Sequence, residues 1–90
     1  MAAKRVLLAG AGTAGRMALE EIRRHAAAGL EPVGFLDDDP AMQGQTIAGL
    51  PVLGPLDRLV EVVHAERVTE VLIAIPSARG AVVRRLVALC

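Results

Sequence analysis

The chain has 90 residues, 53% of them hydrophobic, and its ten basic and ten acidic residues cancel. This length predicts one small domain over residues 1–90, with an aliphatic core because Phe35 is the sole aromatic residue. The charge balance argues against nucleic acid or anionic lipid as partners, and no apolar run reaches the roughly 20 residues of a membrane span. A lone cysteine, Cys90, favours a reducing, cytoplasmic setting.

The first predicted strand, Lys4 to Ala9, runs into a glycine-rich turn and then into a helix from Ala14 to Ala27. The turn has the spacing Gly-x-Gly-x-x-Gly, in which Gly10 permits a tight bend, Gly12 leaves room for a pyrophosphate and Gly15 allows close helix packing. The free N–H groups at the start of the helix would face an anion. This pattern predicts a phosphate-binding turn, and the alternative is a tight strand-to-helix turn with no ligand.

The second predicted strand, Glu31 to Leu36, ends at the acidic turn Asp37-Asp38-Asp39. In dinucleotide folds a carboxylate about 20 residues after the glycine turn binds the adenosine ribose hydroxyls. Asp37 lies at that spacing and is the best candidate ribose ligand, with Asp38 second and Asp39 a turn residue only. Because these carboxylates would repel a 2′-phosphate, the cluster favours NAD over NADP. The alternative is a solvated turn, since aspartate and proline are good turn formers.

The remaining elements alternate in the same way. Residues 41–50 look irregular, residues 51–53 form a short third strand, and a helix begins at Gly54-Pro55, because proline suits the first helical position. Residues 71–75 form a fourth, wholly apolar strand. A last helix is then predicted from the apolar residues Val82, Val83, Leu86, Val87 and Cys90.

Strands joined by helices indicate a parallel sheet with right-handed crossovers. We therefore expect a Rossmann-like α/β domain of about four strands in the order 3-2-1-4, with helices on both faces, ending in the helix after strand 4. In that order the apolar strand 71–75 lies at an edge, although its sequence is typical of an interior strand. Either the remainder of a longer parent protein or a second copy of the chain would cover this edge.

Ligands of such sheets lie in the crevice where the strand order reverses, here between the first and fourth strands. Arg16 follows the glycines and would either contact a phosphate or point into solvent. Ser77 follows the fourth strand and would either reach a ribose or phosphate or cap the last helix. The full set of candidate binding residues is Gly10, Gly12, Thr13, Ala14, Gly15, Arg16, Asp37, Asp38 and Ser77.

Groups suited to catalysis are scarce. His25 and His64 fall on separate predicted helices away from the crevice, no residues have metal-ligand spacing, and the chain has no tyrosine. Cys90 is better suited to packing as a small apolar side chain than to nucleophilic attack. The sequence predicts a binding module with no catalytic residues and no metal site of its own.

Four stretches resemble, in this order, the nucleotide-binding domain of bacterial capsular-polysaccharide biosynthesis proteins, the membrane-anchored nucleotide-sugar epimerases/dehydratases. They are residues 10–16 (GAGTAGR), 32–40 (PVGFLDDDP), 49–54 (GLPVLG) and 71–77 (VLIAIPS). The domain, classed as CoA-binding-like, is similar to one in polyprenyl-phosphate sugar-1-phosphate transferases. The resemblance implies a cytoplasmic domain between the transmembrane helices and the catalytic domain of its parent. It also implies that Gly10, Gly12, Gly15 and Asp37 hold NAD, although related domains bind nucleotide-sugars or CoA.

A second resemblance, to sugar-nucleotide acyltransferases, rests on residues 34–39 and 51–54 and implies a UDP-sugar ligand. Those enzymes usually have a Gly-Gly-His-Gly-like turn, where this chain has Gly-Thr-Ala-Gly at residues 12–15. Two further interpretations are a sensing module, in which CoA or a nucleotide controls a neighbouring domain, and a structural or dimerisation module with an empty crevice. The catalytic domain of either parent is absent from these residues, so enzymatic activity of the chain alone is left open.

Overall fold

A computed structural model describes residues 4–25, 29–77 and 80–87. In chain order its strands and α-helices are β1 (Lys4–Ala9), α1 (Thr13–Arg24), β2 (Leu30–Leu36), β3 (Thr46–Ile47), β4 (Leu50–Gly54), α2 (Leu59–Ala65), β5 (Glu70–Ser77) and β6 (Gly80–Val87). Short 3₁₀ helices at Pro40–Met42 and Leu56–Arg58 precede β3 and α2. Neither α1 nor α2 has the length and apolar character that crossing a bilayer requires.

The strands form one sheet in the order β3-β4-β2-β1-β5-β6. The central strands β4, β2, β1 and β5 run parallel, whereas β3 and β6 run antiparallel to their neighbours. The order β4-β2-β1-β5 is the predicted order 3-2-1-4, which confirms the Rossmann-like α/β class. The carboxyl ends of β1 and β2 therefore lie side by side at one edge of the sheet.

The core lies on both faces of the sheet because side chains of a strand alternate between faces. Val6 and Leu8 of β1 pack with Leu19 of α1, whereas Leu7 packs with Val63 of α2. All three of the β1 residues named here are fully buried. The prediction of helices on both faces is confirmed, with α1 in one cluster and α2 in the other.

The predicted last helix is wrong, because residues 80–87 form β6. This strand pairs with β5 along its whole length, from Ser77 opposite Gly80 to Glu70 opposite Val87. The exposed edge expected for residues 71–75 is therefore covered by the same chain, and neither a second copy nor a further part of a parent protein is needed there. Cys90, placed in that helix by the sequence pattern, lies outside the described residues.

Other boundaries also differ from the prediction, among them the helix expected at Gly54-Pro55, where a 3₁₀ helix at Leu56–Arg58 precedes α2. The helix α1 runs from Thr13 to Arg24 with His25 as its C-cap, whereas the prediction ran from Ala14 to Ala27, whose last two residues lie outside the described residues. The third strand is longer than predicted, and β3, in a segment expected to be irregular, pairs with it through a turn at Ala48 and Gly49. The segment between the acidic turn and β4 therefore contains regular structure, and it lies beside the start of α1.

Candidate functional site

The glycine turn begins with Gly10, which has a φ of +114° that favours glycine. Its N–H donates to the Leu36 carbonyl oxygen at 2.7 Å, so the turn leaves β1 directly beside the end of β2. A Cβ at this position would lie 2.8 Å from the carbonyl oxygen of Ala74 in β5. Gly10 therefore fixes the turn between β2 and β5, in the crevice that the strand order predicts.

The other two glycines have different surroundings. A Cβ at Gly15 would overlap the carbonyl oxygen of Gly10, so this glycine allows α1 to approach the turn. A Cβ at Gly12 would meet no atom within 4 Å. Gly12 precedes α1, and its carbonyl oxygen accepts the first intrahelical bond, from the Arg16 N–H at 3.0 Å. The helical N–H groups before Arg16 have no intrahelical acceptor, and the open face over Gly12 leaves an anion access to them.

The Asp37 carboxylate contacts the glycine turn itself. Its Oδ2 accepts a hydrogen bond from the Ala11 N–H at 2.8 Å, and its Oδ1 accepts one from the Asp39 N–H at 2.9 Å. Asp37 is half-buried, and the side-chain amide of Gln43 donates to its carbonyl oxygen. A carboxylate has about four lone-pair sites, so Asp37 retains acceptor capacity for two ligand hydroxyls.

The neighbouring aspartates have other partners. Asp38 Oδ1 accepts a hydrogen bond from the Leu56 N–H at 2.8 Å, at the start of the 3₁₀ helix before α2. Asp39 Oδ1 accepts one from the Ala41 N–H at 2.9 Å and caps the 3₁₀ helix that begins at Pro40. Asp39 is thus a turn residue, as predicted. The bond from Leu56 to Asp38 joins residues 18 positions apart, so no local sequence pattern predicts it.

A hollow of about 340 Å³ opens between the end of β1 and the first half of β5. We call it the β1–β5 hollow. Its apolar lining comes mainly from β5 and from the start of the 3₁₀ helix and of α2, at Leu56 and Leu59. Asp37 and Asp38 also line it, and the other main residues are Val71 and Ile73. An apolar space with two carboxylates suits a nucleoside, whose base is flat and whose ribose presents two hydroxyl groups.

A second hollow of about 390 Å³ lies on the other side of the glycine turn. We call it the α1–β3 hollow, and its lining residues are Ala11, Gly12, Thr13, Arg16, Ala41, Met42, Gln45 and Ile47. Half of these residues come from the segment that the sequence pattern left irregular. Sequence reasoning therefore missed Met42, Gln45 and Ile47 as site residues, and no motif in that segment marks them.

The candidate residues are not all brought together. Thr13 and Arg16 are exposed and line the α1–β3 hollow, whereas Ala14 is buried. Ser77 is the last residue of β5 and pairs with Gly80. Because a strand follows it, the interpretation of Ser77 as a helix cap is wrong, and its role in binding stays a prediction.

Comparison with known proteins gives a family and one curated relative. The model of the CoA-binding domain family matches residues 2–90. Over 78 residues the chain is 33% identical to the probable polysaccharide biosynthesis protein EpsC of Bacillus subtilis strain 168. That alignment covers 87% of this chain and 13% of EpsC, so the chain spans a small part of that relative.

Two solved structures are also similar. UDP-D-quinovosamine 4-dehydrogenase from Vibrio fischeri superposes with a TM-score of 0.73 at 31% identity, over 86% of this chain and 61% of that chain. RSP, a Rex-family repressor, superposes with a TM-score of 0.72 at 17% identity, over 86% of this chain and 36% of that chain. The repressor shares the fold alone, whereas the dehydrogenase is also similar in sequence.

Proposed function

Because this chain belongs to the CoA-binding domain family, we propose that it is the NAD-binding domain of a polysaccharide-biosynthesis nucleotide-sugar epimerase or dehydratase. Its relationship to EpsC and to a UDP-sugar dehydrogenase supports the class of parent protein. In this proposal the chain binds the cofactor, and the reaction takes place on another part of the parent.

The observation that carries the proposal is the contact between Asp37 and the glycine turn. The Asp37 Oδ2 lies 2.8 Å from the Ala11 nitrogen, so a carboxylate and the open face of Gly12 belong to one small site. A dinucleotide presents a ribose diol and a pyrophosphate a few bonds apart, and such a site would bind both groups at once. The β1–β5 hollow would then receive the base.

The charge beside the ribose favours NAD over NADP. Asp37 and Asp38 both line the β1–β5 hollow, and within the described residues neither carboxylate is paired with a lysine or arginine. Their negative charge would attract ribose hydroxyls as hydrogen-bond donors and repel a 2′-phosphate. The same repulsion applies to CoA, which carries a phosphate on the 3′-hydroxyl of its ribose.

Calorimetric titration with NAD and NADP tests the proposal. Hydrogen bonds to a charged group are worth about 1.5 to 3 kcal/mol, so NAD should bind at least about tenfold more tightly than NADP. Asp37→Ser should narrow that difference in affinity, mainly because the variant binds NAD more weakly. The matched control Asp39→Ser removes the same side chain two positions away and should leave the ratio unchanged. Equal affinities for NAD and NADP in the unaltered protein would refute the assignment.

A UDP-sugar is the second candidate ligand. The solved relative at 31% identity is named as a UDP-D-quinovosamine dehydrogenase, and uridine carries the same ribose diol as adenosine. Asp37 would bind either ribose in the same way, so the base distinguishes the two ligands. Titration with ADP and UDP, which differ only in their bases, identifies which one the β1–β5 hollow accepts.

A further inference from the structure

The two hollows share the glycine turn but differ in charge. The β1–β5 hollow is lined by Asp37 and Asp38, whereas Arg16 is the charged residue lining the α1–β3 hollow. A phosphate group placed between them is repelled from the first and attracted to the second. A nucleoside diphosphate would therefore lie with its nucleoside in the β1–β5 hollow and its second phosphate toward Arg16.

The α1–β3 hollow also offers groups that bind hydroxyls. Among the described residues, the Arg16 guanidinium and the Gln45 amide have no hydrogen-bond or ion-pair partner. The half-buried side chains of Met42 and Ile47 add an apolar surface. An amide that both donates and accepts, beside an apolar surface, suits a sugar ring, which has a hydroxyl rim and apolar faces.

The backbone holds Gln45 in position. Its N–H donates to the Met42 carbonyl oxygen at 3.1 Å, and its carbonyl oxygen accepts from the Val52 N–H of β4 at 2.9 Å. The residue is therefore fixed to the sheet on one side and to the 3₁₀ helix on the other. Its exposed side chain extends from this fixed backbone at the lining of the hollow.

We propose that the α1–β3 hollow is a subsite for a sugar carried on the second phosphate of a nucleoside diphosphate. Arg16 contacts that phosphate, and Gln45 hydrogen-bonds the sugar hydroxyls. The inference rests on the proposed function, because it assumes that the glycine turn binds the diphosphate. The second ribose of NAD and the sugar of a UDP-sugar are both attached to the second phosphate, so either could occupy this subsite. CoA could not occupy it in this way, because its second phosphate carries no sugar.

The role of Gln45 is tested by titrating two matched ligand pairs, ADP with ADP-ribose and UDP with UDP-glucose. In the unaltered protein the added sugar should raise affinity at least about threefold in the pair whose base fits. Gln45→Ala should abolish this gain in affinity and leave the affinities for ADP and UDP unchanged. The control Thr46→Ala alters an exposed neighbour in β3 that does not line the hollow, and should keep the gain.

The role of Arg16 is tested with AMP and ADP, which differ by the second phosphate. Arg16→Gln should reduce the preference for ADP over AMP by roughly tenfold, whereas Arg24→Gln, on the same helix, should not. Binding of ADP or UDP with no gain from the sugar, or a gain that survives Gln45→Ala, would overturn the subsite alone. If AMP, ADP and UDP all fail to bind, the proposed function and the subsite both fall.

Discussion

The carboxylate of Asp37 accepts a hydrogen bond from the backbone N–H of Ala11, 26 positions earlier in the chain, at 2.8 Å. The residue proposed to bind the ribose therefore also fixes the turn proposed to bind the phosphates. Its second oxygen accepts from the Asp39 N–H and holds the acidic turn. A substitution of Asp37 should consequently change stability as well as binding.

Asp37→Asn should lower the free energy of unfolding by about 1 to 3 kcal/mol, because the amide nitrogen cannot accept the bond that one carboxylate oxygen accepts. Urea denaturation of the unligated protein measures this loss. The control is Asp57→Asn, at an exposed aspartate in the 3₁₀ helix before α2, which should change stability little. If the two variants are equally stable, the bond to Ala11 does not contribute to folding.

Gly12 and Gly15 should respond differently to the same added methyl group. Gly15→Ala should lower the free energy of unfolding by about 1 to 3 kcal/mol, because its Cβ would overlap the Gly10 carbonyl oxygen. Gly12→Ala should fold normally, since the space there is open and the φ of −76° is accessible to any residue. Thermal unfolding of the two variants tests the contrast.

Gly12→Val should keep the fold and abolish nucleotide binding, because its side chain would occupy the space proposed for the pyrophosphate. Circular dichroism checks the fold, and titration with the nucleotide that binds the unaltered protein checks the site. An unchanged affinity in a folded Gly12→Val protein would remove the pyrophosphate from the glycine turn.

Ala48→Asn should stabilise the protein by about 0.5 to 1 kcal/mol. Ala48 and Gly49 form the two-residue turn between β3 and β4, with φ of 52° and 83°. Positive φ at both positions favours Asn-Gly, because asparagine adopts the left-handed region more readily than alanine. Ala48→Val should destabilise the turn, since a β-branched residue is strained there. A higher melting temperature for the Val variant than for the Asn variant would contradict this turn geometry.

Arg58 should keep the pKa of the Glu61 carboxyl below its ordinary value. The side-chain hydrogen bonds from Arg58 to Glu61, at 2.7 and 3.0 Å, and the attraction of the two charges lower the pKa of the Glu61 carboxyl. A depressed pKa in the folded state gives stability above the unfolded pKa that is lost as pH falls through the folded pKa. NMR titration should show the Glu61 pKa rising in Arg58→Gln and staying low in Arg23→Gln.

The glycine turn and the parallel strand order could be predicted because local patterns specify them. Residues 6–9 are apolar and precede the Gly-x-Gly-x-x-Gly spacing, and the steric demands at Gly10 and Gly15 follow from that spacing. Alternating strand and helix segments then limit the topology to a few choices. The position of Asp37 at the end of β2 follows from the same alternation.

The last helix could not be excluded from local pattern. Val82, Val83, Leu86 and Val87 fit a helical stripe, yet valine also favours strands, and a short apolar segment does not distinguish the two periods. The choice between helix and strand is decided by pairing with β5, whose edge would otherwise lack a neighbour. In the sheet, Ala74 of β5 lies opposite Val83 of β6. Two residues connect β5 to β6, which suits an antiparallel hairpin, whereas a parallel crossover needs a dozen or more.

The α1–β3 hollow was missed for a different reason. Gln45 and Ile47 belong to a segment with no periodicity, and β3 has only two residues. Their position beside Arg16 results from the pairing of β3 with β4 and from the Asp39 cap, which are tertiary and turn contacts. Sequence patterns identify the turn that a ligand would contact, but they do not identify the side chains that face it.

At the candidate site, backbone hydrogen bonds link the carboxyl end of β1 to that of β2, and the carboxyl end of β2 to that of β4. The Gly10 N–H bonds the Leu36 carbonyl oxygen of β2 at 2.7 Å, and the Asp37 N–H bonds the Gly54 carbonyl oxygen of β4 at 3.0 Å. The backbone there loses its conformational entropy during folding, so little further ordering opposes a ligand that arrives later. Ligand exchange at such a preorganised edge requires no refolding, and successive nucleotides would meet the same geometry.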